Sequence, residues 1–158
     1  MSQFRIEKSD QAGVLTLIFE GQIDEDASFE GYPLTTKEVV LELEKVAAIN
    51  SCGIREWVKW IKSSTPGSKV VLRNCPKVIV DQINMVAGFL PENGIVDSFY
   101  VPYYCESSGN EKMVLFRRGA EFTPGGDLKP PSGIKDEETG EAMEMDVIEA
   151  KYFKFLKN

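Results

Sequence analysis

The chain has 158 residues, with 25 acidic and 18 basic side chains, a net charge of −7 and no histidine. This length suits one domain, or one domain with a small appendage, and 42% hydrophobic residues suffice for a packed core. A chain without histidine has no Ser-His-Asp triad, no His-paired cysteine nucleophile and no His-ligated metal.

The acidic balance argues against phosphate-backbone binding, so no nucleic-acid partner is expected. No stretch approaches the roughly 20 apolar residues that cross a bilayer, so no membrane insertion is expected. The opening residues lack the basic-then-apolar pattern of an export signal. Three widely spaced cysteines, Cys52, Cys75 and Cys105, do not form a disulfide framework. A cytoplasmic location with reduced thiols is the expectation.

In chain order, residues 3–7 alternate weakly as a first strand. Residues 14–19 are β-branched and apolar enough for an interior strand, which Gly21 ends. Residues 21–33 are polar and turn-rich. Residues 38–43 alternate strictly, with Val39, Leu41 and Leu43 on one face. From Gly53 the period becomes helical: Ile54, Trp57, Val58 and Ile61 share one face, and the helix ends near Ser63. A strand at 69–73, a helix at 77–87 with Pro76 near its start, and a strand at 95–101 follow. Two strand-helix-strand crossovers predict an α/β domain with a mixed sheet and helices packed on it.

The remaining residues differ in character. A strand is expected around 113–118, a Pro- and Gly-rich loop at 122–133, an acidic stretch at 135–146 and a helix within 146–158. The predicted division is therefore 1–101 and 102–158. Phe116, Phe122, Tyr152, Phe153, Phe155 and Leu156 are the material that would hold the second part by packing.

Enzyme signatures are missing. Gly31 and Lys37 only echo a P-loop, which needs a second glycine, and no G-x-G-x-x-G follows a strand. The sharpest local feature is Asn50-Ser51-Cys52-Gly53, where a strand gives way to an amphipathic helix. Ser51 or Asn50 can cap that helix. Free N–H groups and the positive end of the helix dipole stabilise a phosphate there, so Ser51 is the phosphoacceptor candidate. Gly53 is read as keeping the approach to that hydroxyl open, or as a tight turn. Trp57 belongs to the core face. Trp60 lies off its centre, either as an exposed contact anchor or under the C-terminal part.

Gly21-Gln22-Ile23-Asp24, then Asn50-Ser51-Cys52-Gly53 at a helix start, then Asn74-Cys75-Pro76 before a second helix, resemble a STAS domain. This is the fold of anti-sigma factor antagonists, and the resemblance covers residues 1–101. It implies a non-enzymatic regulator that binds a protein partner, such as a serine-kinase anti-sigma factor. Contact would run through the helix start at 50–62, with phosphorylation at the position of Ser51 switching it. It also implies that Asp24 lies near the serine and that Asn50, Cys52, Gly53, Ile54, Trp57 and Trp60 form the surroundings of the contact. Asn50 stands where the family has aspartate, and Cys52 where it has a small hydroxyl residue.

Residues 102–116, with Cys105 and Ser108-Gly109, resemble the first knuckle of a zinc ribbon, and 137–146 the second with its ligands gone. This implies a degenerate ribbon without metal. No cofactor is expected. A constitutive scaffold, a homodimer built through the last helix, and a nucleotide or small-molecule binder using Asp24 and residues 51–53 are the other readings.

Overall fold

The computed structural model describes residues 3–157. The first strands, β1 (Arg5–Gln11) and β2 (Val14–Ile23), form an antiparallel hairpin. Its two-residue loop places Ala12 and Gly13 at φ of 53° and 81°. Both angles are left-handed, as a turn matching the twist of the strands requires. β3 (Glu38–Ile49) lies parallel to β2, and β4 (Lys69–Arg73) and β5 (Gly94–Val96) continue the parallel run. The sheet is thus mixed, with five strands in the order β1-β2-β3-β4-β5. α1 (Ser51–Lys62) connects β3 to β4, and α2 (Lys77–Met85) connects β4 to β5.

Register explains which face is covered. Leu15 sits opposite Val39 and Leu17 opposite Leu41, while Val70, Leu72 and Val96 continue the same rows across β4 and β5. All of these are buried, and the helices pack on this face through Trp57, Trp60, Ile61, Ile79 and Val80. The opposite face carries the cross-strand ion pairs Arg5–Glu20, Lys69–Glu38 and Arg73–Glu42. Apart from the buried Val40–Val71 pair on that face, this is the inward-apolar, outward-charged alternation of a sheet with its main core on one side.

β2 runs on past the expected end at Gly21. The strand accommodates that glycine as an irregularity, with register shifts on both sides of it, and reaches Ile23. Residues 95–101, read as one strand, divide at Asp97. β5 stays in the first sheet, whereas β6 (Ser98–Tyr104) joins a second, antiparallel sheet with β7 (Glu111–Arg117) and β8 (Glu144–Met145). The two sheets are tied at the division: Cys75 N–H donates to Ser98 O, and Tyr100 N–H donates to Cys75 O. The expected boundary at 101–102 falls inside β6, and one hydrophobic core runs from Leu15 to Leu156.

The C-terminal helix is shorter than its spacing suggested. α3 spans only Glu149–Tyr152, and a 3-10 turn at Lys154–Lys157 follows. Tyr152, Phe153, Phe155 and Leu156 are all buried. Tighter winding aims Phe153 at Phe116 and Phe155 at Phe99, with centroids 5.9 and 5.1 Å apart. Asn84 of α2 fixes this segment, donating to Tyr152 O (2.9 Å) and accepting from Phe155 N–H (3.0 Å).

Two predictions follow from local geometry. Ala12 holds a left-handed conformation that costs an ordinary L-residue roughly 1–2 kcal/mol and asparagine less. Ala12→Asn is expected to raise the urea midpoint, by about 0.5–1 kcal/mol of stability. The buried carboxyl of Asp136 is held well below its ordinary range by Asn110 first, then by Ser108, Thr139 and a backbone N–H, against opposing desolvation. A lowered folded pKa adds stability that is fully present above the unfolded value of about 3.9 and fades below it. The melting-temperature gap between the wild-type chain and Asp136→Asn should therefore be wide at neutral pH and narrow as pH falls below about 4.

Candidate functional site

The site is built where β2 and β3 end side by side. Ile23 pairs with Ile49, and Asn50 N–H donates to Ile23 O at 3.1 Å. The loop after β2 and the first turn of α1 therefore open at the same edge. Asp24 turns that loop: its side chain accepts from Asp26 N–H (3.0 Å), and its carbonyl accepts from Ala27 N–H (3.0 Å).

Asn50 is the N-cap of α1. Its backbone is extended, its Oδ1 accepts from Gly53 N–H at 2.9 Å, and its carbonyl accepts from Ile54 N–H at 2.8 Å. Such a cap contributes about 1 kcal/mol. Of the two capping candidates, Ser51 is displaced into the first helical position, where it is exposed. Its hydroxyl stands on the first turn, beside N–H groups that a helix start leaves without intrahelical acceptors.

The same Asn50 reaches the other way. Its Nδ2 donates to Glu25 at 2.9 Å. The Glu25 backbone N–H, followed by this amide, holds the Glu25 carboxyl below its usual range. The acidic neighbour bound at the helix start is thus Glu25 rather than Asp24, whose carboxylate serves its own turn. The sequence names Asp24 through a motif. The signal for Glu25 is positional, since once the ends of β2 and β3 are aligned, the residues just after Ile23 face Asn50.

Gly53 points inward. A Cβ on Gly53 would lie 2.0 Å from the Ile23 carbonyl oxygen, so the helix can approach the strand only without one. This corrects its reading as an opening for a partner. Trp60 is corrected in the same way as a contact anchor, whereas Trp57 lies in the core, on the face its helical spacing gave it. Trp57 is fully buried, stacks on Phe89 at 4.9 Å and donates to Phe89 O at 3.0 Å. Trp60 is 8% exposed, stacks on Phe29 at 4.7 Å and donates to Tyr32 O at 2.9 Å. The cover over Trp60 is the loop between β2 and β3, not the C-terminal part.

Cys52 and Ile54 are half-buried. The outward surface of the site is therefore Ser51 with Asn50 and the acidic run Asp24-Glu25-Asp26, flanked by Arg55 on the next turn. This arrangement presents a hydroxyl and charge. Among the described residues, no group of three or more Cys, Asp or Glu side chains has the spacing to hold a metal ion. No described helix is long and apolar enough to cross a membrane. No family model matches the chain, and no curated protein matches it.

Gly53→Ala and Ser51→Ala separate the inward from the outward residue. Gly53→Ala should destabilise the protein by about 3 kcal/mol in urea unfolding, because backbone must move to admit one methyl group. Ser51→Ala should stay within about 0.5 kcal/mol of the wild-type chain, since its side chain supports neither cap nor core.

Proposed function

We propose that the chain is a non-enzymatic regulator of the STAS type, which binds a protein partner through the start of α1 and is switched by phosphorylation of Ser51. The observation that carries this reading is the exposed Ser51 hydroxyl on the first turn of α1, with the cap assigned to Asn50. Modification of that oxygen therefore removes neither the cap nor a core contact. The partner class proposed is a serine-kinase anti-sigma factor, which both contacts and modifies this surface.

The electrostatics give the switch its direction. Phosphorylation adds about −1.5 to −2 charges. The helix start offers N–H donors and the positive end of a dipole, so the helix tolerates the group. The neighbouring run Asp24-Glu25-Asp26 makes the same patch still more negative. A partner that buries this patch must then desolvate the phosphate against like charge, a cost of several kcal/mol. A loss of only about 2.7 kcal/mol weakens binding roughly 100-fold.

The test is affinity capture of the partner from the protein's own cells, followed by titration of that partner. The unmodified chain and Ser51→Ala should bind with similar affinity. The phosphorylated chain and Ser51→Asp should bind roughly 100-fold more weakly. Phosphopeptide mapping should place the modification on Ser51. Equal affinity for all four forms would leave a constitutive scaffold in place of the switch, and a modification that survives Ser51→Ala would discard the acceptor.

A further inference from the structure

Two turns in the C-terminal part are backbone copies of one another. In the first, between β6 and β7, Gly109 N–H donates to Cys105 O at 2.8 Å and Cys105 N–H to Asn110 O at 2.9 Å. In the second, Gly140 N–H donates to Asp136 O at 2.8 Å and Asp136 N–H to Glu141 O at 2.8 Å. Gly109 and Gly140 share the left-handed conformation, with φ of 76° and 73°. Residues 105 and 108 precede the first glycine as residues 136 and 139 precede the second. The second turn thus begins at Asp136, one residue before the segment 137–146 that resembles the second knuckle in sequence.

The turns face each other and are joined by side chains. Thr139 Oγ1 lies 3.8 Å from Cys105 Sγ. Asn110 Nδ2 donates to Asp136 Oδ1 at 3.0 Å, and Thr139 Oγ1 donates to Asp136 Oδ2 at 2.9 Å. Asp136 is 4% exposed, one of the few buried polar residues among those described.

Facing turns that each offer two side chains three residues apart are the framework of a tetrahedral four-thiolate zinc site. The donor set here does not fit zinc. One position is a thiol, two are alcohols, and the fourth is a carboxylate with both oxygens engaged in hydrogen bonds. We propose that residues 105, 108, 136 and 139 mark the four corners of a ribbon-type metal centre in which the Asp136 carboxylate joins the two turns in place of a metal ion. Chemistry favours the exchange. A metal joins the turns by ligation; a buried carboxylate joins them through charge-assisted hydrogen bonds, which are roughly twice as strong as neutral ones. It accepts from Asn110 of the opposite turn, which also donates to Glu138 Oε2 at 2.6 Å, and from Thr139 of its own, so losing it would take one acceptor from each.

The test uses the full chain under reducing conditions. The wild-type protein, dialysed against excess zinc and then against buffer, should retain none by elemental analysis, and a chelator should leave its melting curve unchanged. Ser108→Cys/Asp136→Cys/Thr139→Cys, which completes four thiols with Cys105, should take up one cobalt ion per chain and show the absorption bands of tetrahedral thiolate coordination. Stoichiometric zinc on the wild-type chain would overturn the replacement, and a folded triple variant that takes up no cobalt would overturn the assignment of the corners. A double-mutant cycle covers the case of a triple variant that does not fold. Asn110→Ala and Asp136→Ala together should lower the melting temperature by less than the sum of the two single substitutions, and strict additivity would overturn the bridge.

Discussion

The approach of α1 to the end of β2 is the constraint on which the site depends. Gly53 rests against the Ile23 carbonyl with no space for a side chain between them. That contact sets where the helix begins, and hence which residue caps it and which stands outside. With Gly53 seated, Asn50 falls at the cap and Ser51 one step beyond it, in solvent. The same seating brings Trp57 and Trp60 down onto Phe19, with centroids at 5.7 and 5.8 Å, so the helix is fixed by its buried face as well as by its first turn. Accessibility of the serine is thus a by-product of close packing behind it.

The order of strands and helices through residue 96 was legible in the sequence because each element carries its own period. Val39, Leu41 and Leu43 alternate, and the helical spacing from Ile54 to Ile61 is unbroken. Trp60 was not legible as a core residue. Its cover, Phe29, sits in a polar loop without periodicity, and only the return of that loop across α1 brings the two rings together. Glu25 was hidden for the same reason, since its partner Asn50 is 25 positions away and meets it through strand alignment. The break at Asp97 was obscured by continuous apolar character: residues 95–101 read as one strand, and nothing local announces that the chain changes sheets. What the sequence leaves out throughout is pairing between distant segments.

The C-terminal part shows how a small unit is held without a large core of its own. Its second sheet is short, and β8 has only two residues. Three ties compensate. The aromatic cluster around Phe99 continues the main core, Asn84 grips the backbone of the last segment, and the Asp136 centre joins the two outer turns. Each tie engages a different stretch of chain, and the first two run into elements of the α/β part. The two parts therefore fold as neighbours across one interior, in keeping with a strand, β6, that belongs to both sides of the expected boundary.

The distribution of aromatic side chains has a spectroscopic consequence. Both tryptophans, Trp57 and Trp60, lie in the α/β part, 5.6 Å apart, whereas Tyr100, Tyr103, Tyr104 and Tyr152 all lie in the C-terminal part. Selective excitation of the indoles reports on one half of the molecule, and the phenol signal is weighted towards the other. An experimenter has a built-in, label-free means of asking whether the halves melt together or in succession.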